Sequence, residues 1–74
     1  MTRVTLREIE RIFEITDALG LSREALVIPL RPRHPGSVRK LANGTYEIVV
    51  DAQADFDQWL NWLRSRLSEV AAAG

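Results

Sequence analysis

Leu6, Ile9, Ile12, Phe13, Thr16 and Leu19 recur three and four residues apart, the spacing that lines one face of an α-helix. Thr5-Leu-Arg-Glu8 in front of them has the form of a capping box, in which the threonine hydroxyl accepts from the third helical amide and the glutamate reaches back to the cap. Gly20 stands where a helix is closed by a left-handed residue, with Leu21 placed to fold back on the last turn. The pattern predicts a first helix over 6–19, followed by one further turn capped by Ser22.

Val27-Ile-Pro-Leu-Arg31 reads as a short strand, and Pro29, which has no amide to donate, assigns it to a sheet edge or a bulge. The Arg31–Ser37 stretch is then a stiff loop, because Pro32 and Pro35 push the residues before them toward extended geometry. Asn43-Gly44 lies between two β-rich runs and predicts a hairpin with a two-residue type I′ turn. In that register Lys40 faces Glu47, Arg39 faces Ile48 and Val38 faces Val49. Leu41, Tyr46, Ile48 and Val50 gather on the core face, and Arg39 sits awkwardly at its margin.

Asp55-Phe-Asp-Gln58 starts a second helix with acids at its positive end. Phe56, Trp59, Leu60, Leu63, Leu67 and Val70 form its apolar stripe, so it should run to about residue 70. These elements predict an α+β fold of order α-β-β-β-α. It is a two-layer sandwich in which a small antiparallel meander sheet is covered on one face by two helices, with 1–74 as a single domain.

Composition narrows the function classes. The chain has 74 residues and no cysteine, so neither a disulfide nor a thiolate zinc site supports it, and packing must. Ten basic and ten acidic side chains cancel, which argues against a general binder of nucleic acid or of membrane surfaces. No run is long and apolar enough for a membrane span, and the charged first ten residues lack the apolar core of a secretory signal, so the cytoplasm is the expected location.

Reactive side chains are few. His34 is the sole histidine and lies in a loop, without the partner that nucleophilic catalysis or a zinc site requires. Asp51, Asp55 and Asp57 lack the spacing of a calcium loop, and helix capping accounts for the last two. The four glycines build no phosphate-binding loop. No enzyme, metal or cofactor is expected. The one charge cluster is Arg31, Arg33, His34, Arg39 and Lys40, with no acid between residues 25 and 46. It is a candidate anion or nucleic-acid site, read against the plainer alternative of a solvated loop that balances acids of the first helix.

The order of elements resembles that of the double-stranded RNA-binding domain, which would imply phosphate contacts from the start of the second helix. This chain has Asp55-Phe-Asp-Gln58 there, which repels phosphate. A hairpin ahead of a helix is also similar to a minimal metallopeptidase core, but Trp59-Leu-Asn-Trp-Leu63 stands where the zinc-binding histidines would be. Neither family is assigned.

Self-association is the leading expectation. Trp62 falls at the border of the second helix stripe, where an indole suits an interface. If the strands pair in chain order, the last one is a free, β-rich edge. Tyr46, Ile48, Val50 and Trp62 are therefore the interface candidates for a homodimer.

Overall fold

The computed structural model describes residues 3–73. Helix α1 covers Leu6–Ala18, and its capping box forms as expected: Thr5 Oγ1 accepts from the Glu8 amide and the Glu8 carboxylate accepts from the Thr5 amide. Gly20 closes α1 at φ 77°, a left-handed angle that a Cβ would strain. Its amide donates to Asp17 O, and the Leu21 amide donates to Thr16 O at 2.9 Å, the paired bonds of a Schellman ending. A single 3₁₀ turn, Arg23–Ala25, leads into β1 (Leu26–Val27), β2 (Ser37–Lys40), β3 (Tyr46–Val49) and helix α2 (Phe56–Ala73).

The sheet is mixed, with strand order β1-β3-β2, so the expected antiparallel meander is corrected. β1 runs parallel to β3, pairing Leu26 with Tyr46, while β2 runs antiparallel to it. The chain passes from one flank of β3 to the other by wrapping around its C-terminal end. Arg33 forms a parallel bridge with Asp51, its amide donating to Val50 O at 3.0 Å, and Ala52 donates back to Arg33 O at 2.9 Å. Gly36 then squeezes past on the far side, where a Cβ would lie 2.7 Å from Asp51 N and 2.8 Å from Val49 O. Only glycine fits that crossing without a backbone shift.

The hairpin forms, one residue out of the expected register. Leu41 donates to Thr45 O at 2.7 Å and accepts from Gly44 N at 3.0 Å, enclosing the three-residue loop Ala42-Asn43-Gly44. Gly44 takes φ 86°, the left-handed position that converts a type I turn into a hairpin with a bulge. The shift moves Val38 opposite Ile48 and Arg39 opposite Glu47. A one-residue slip exchanges the faces of a whole strand. Here it buries Val38 and turns Arg39 to the opposite face of the sheet, where its guanidinium meets Glu47 at 2.8 Å. The expected Lys40–Glu47 pair is replaced by this one.

One apolar cluster joins Ile12 and Ile15 of α1, Leu60, Leu63 and Leu67 of α2, and Val38, Ile48 and Val50. α2 packs on β2 and on α1. Val4 adds its side chain to the cluster while its amide donates to Leu30 O at 2.7 Å, tying the start of the chain to the segment after β1. Pro29 sits where pairing with β3 lapses between Val27 and Arg33, as a residue without an amide requires. Among the described residues, no helix is long and apolar enough to cross a membrane.

Candidate functional site

The ends of β2, β3 and α2 meet around Asp51. Its carboxylate accepts from the Gly36 amide at 3.1 Å, the Gln53 amide at 2.8 Å and the Ala54 amide at 3.0 Å, and His34 Nδ1 lies 3.2 Å from Oδ1. Hydrogen bonds to the charged form favour it. The Gly36 amide first, then the Gln53 amide, His34 and the Ala54 amide, hold this carboxyl well below the usual carboxylate range. Asp51 thus fastens the crossing loop to the turn that opens α2. Asp55 is used locally, its carboxylate accepting from the Gln58 amide at 3.2 Å, and Asp57 reaches α1, 3.8 Å from Arg11.

Beside this hub lies an open, mostly apolar cleft of about 370 Å³, lined by Pro35, Gly36, Asp51, Gln58, Trp59 and Trp62. The helical spacing of Phe56, Trp59 and Trp62 sets their rings in a row, Phe56 stacked on Trp59 and Trp62 tilted against it, with centroids 5.8 and 6.3 Å apart. Trp59 is only 4% exposed and belongs to the core, whereas Trp62 is 42% exposed and forms the rim. The border position expected of Trp62 is where the structure puts it. Trp59 Nε1 is buried with no hydrogen-bond partner among the described residues.

The remaining interface candidates sit elsewhere. Tyr46, Ile48 and Val50 belong to β3 and its extension, flanked by β1 and Arg33 on one side and by β2 on the other, and all three side chains are buried. The free edge assigned to this strand does not exist. The expectation assumed that strands pair in chain order, and the crossing at Gly36 defeats it. Among the described residues, the sheet edge beside the cleft is β2.

β3 also divides the basic segment. Arg33 bridges Asp51 on the β1 flank, while Arg39 and Lys40 lie on β2, with side chains on alternate faces. Arg39 pairs with Glu47, the Lys40 ammonium lies 5.9 Å from the Tyr46 ring centroid, and His34 leans on Asp51. Arg31 and Arg33 are exposed. These groups do not converge on one cradle.

Sequence reasoning missed two features. Asp51, a carboxylate that the sequence offers only as a cation ligand, is an acceptor for backbone amides, a role written in no motif. A second, polar cleft of about 270 Å³ between α1 and α2, containing Arg11, Glu14, Asp57 and Arg64, depends on how the helices meet and has no local signature. No protein-family model, curated protein or solved structure matches the chain.

Proposed function

We propose that the chain is a non-enzymatic interaction module that self-associates through the Trp62 cleft and the open flank of β2 beside it. The observation that carries this reading is Trp62 itself, a half-exposed indole on the rim of an apolar cleft. Tryptophan is enriched at interface centres, and a chain of this size has much to gain from burying further apolar surface. The hydrogen bonds of Asp51 and His34 give these two groups structural work, which fits a binding protein better than an enzyme. The same reading treats the helices and sheet as two layers, supported by the single cluster that α1, α2, β2 and β3 share, and takes the cytoplasm as the compartment, which the lack of cysteine suits.

Anion or nucleic-acid binding is the second reading, favoured by the exposed Arg31 and Arg33. Sedimentation equilibrium separates the two. Trp62→Ala should weaken self-association by about tenfold, the effect of losing an interface anchor, with heparin binding unchanged. Arg31→Ala with Arg33→Ala should do the reverse if the second reading holds. A wild-type chain that stays monomeric to about 1 mM overturns the first, since that concentration already reaches the weakest specific associations.

A further inference from the structure

Leu6 and Leu30 are 71% and 48% exposed, and the fold brings them to one corner of the molecule. The 2.7 Å bond from the Val4 amide to Leu30 O fastens the residues ahead of α1 to the segment after β1. Leu6 is two residues from that bond, so its Cα lies within about 8 Å of that of Val4. Arg3 and Arg31 flank the same bond, one on each stretch of chain, and Arg7 follows Leu6. All three arginines are exposed, and their guanidinium groups make no hydrogen bond or ion pair among the described residues. The acids nearby are engaged. Glu8 spends its carboxylate on the amide and hydroxyl of Thr5, Asp57 lies beside Arg11, and Glu10 is close enough to Arg23 to favour its charged form. Asp17, paired with Arg23, is at the other end of α1, roughly 16 Å along the axis from Leu6. The whole chain is neutral, yet this corner is basic.

Exposed leucines set among unpaired guanidinium groups suit a partner that is anionic at its surface and apolar beneath. We propose that this corner docks on an anionic lipid bilayer, with Leu6 and Leu30 entering the acyl boundary and Arg3, Arg7 and Arg31 on headgroup phosphates. Attachment of this kind gains from buried apolar area and from attraction to anionic lipid together. The planar fork of arginine matches phosphate oxygens in pairs and sheds water more readily than an ammonium. A nucleic acid would take the arginines and leave the leucines in water, and none of these exposed side chains is an aromatic ring on which a base could stack. Val4, buried beneath the corner, holds the backbone of both segments, so docking orders little that is not ordered already. Two leucines and three charges make a reversible, peripheral contact. The corner shares no residue with the Trp62 cleft and stands apart from self-association.

Sedimentation of the full chain with lipid vesicles tests this. The chain should bind when about one-third of the phosphatidylcholine is replaced by phosphatidylglycerol, and should not bind phosphatidylcholine alone. Arg3→Ala and Arg31→Ala should each lower the partition coefficient by about fivefold, and Leu6→Ser by about tenfold. All three side chains are exposed, and unchanged urea midpoints would show that the variants fold. Arg64→Ala removes a guanidinium from α2 that is also unpaired among the described residues, and it should leave binding as it is. Equal binding to both kinds of vesicle, binding to neither, or an equal loss from Arg64→Ala overturns the site. Binding indifferent to Leu6→Ser overturns the insertion on which it depends. If an RNA oligonucleotide binds through Arg3 and Arg31 while vesicles do not, the partner is a nucleic acid and the bilayer is overturned.

Discussion

Four polar neighbours converge on the Asp51 carboxylate: the amides of Gly36, Gln53 and Ala54, and the His34 ring. Protonation would weaken all of these contacts together. Because the folded state holds this carboxyl below its unfolded value, the stability it contributes is complete above the ordinary carboxylate range and is lost as pH falls through that range and beyond. Urea midpoints should therefore drop between about pH 6 and about pH 3. Asp17, lowered by its hydrogen bond from Arg23, acts in the same direction, so the Asp51→Asn variant isolates the share of Asp51. That variant should be less stable at neutral pH and lose less on acidification. An acid slope equal to that of the wild type would show that the amides do not depend on the charge. Nothing near Asp51 in the sequence announces this role, because its partners come from a loop fifteen residues upstream as well as from its own turn.

At the scale of elements, what could be read in advance was what neighbouring residues decide. Thr5, Glu8 and Gly20 placed the ends of α1, Asp55 marked the start of α2, and Gly44 marked a turn. The turn is one residue longer than the Asn-Gly pair predicts, because that pair also suits a three-residue loop with glycine in the left-handed position. The awkward placing of Arg39 on the core face was the available sign that the register was wrong by one. Strand order was out of reach, since the crossing depends on a close approach between Gly36 and a backbone segment distant in sequence. Gly36→Ala tests that dependence. Its methyl would lie less than 3 Å from three backbone atoms, and the forced shift should cost about 1–3 kcal/mol in urea unfolding. Gly20→Ala is strained by its positive φ but meets no neighbouring atom, so the two substitutions separate steric crowding from conformational strain.

For the whole molecule, the helix stripes identified the core well, because Ile12, Trp59, Leu60, Leu63 and Leu67 are buried as their spacing requires. The candidate site was legible only at Trp62, whose position on α2 follows from helical geometry alone. A core this small leaves little reserve. Leu63 is fully buried, and Leu63→Ala should cost about 2–5 kcal/mol, a large share of the roughly 4–11 kcal/mol expected for a chain of this length. Urea unfolding followed by tryptophan fluorescence would check it, and a loss below about 1 kcal/mol would mean that the interior collapses around the gap. The central place of β3 has a kinetic side too. β1 and β2 leave the ribosome first, yet they do not pair with each other, and both wait for the strand that is synthesised last. The hairpin closes over a short loop, whereas joining β1 must close about twenty residues, so the sheet should nucleate at β2 and β3 and recruit β1 afterward.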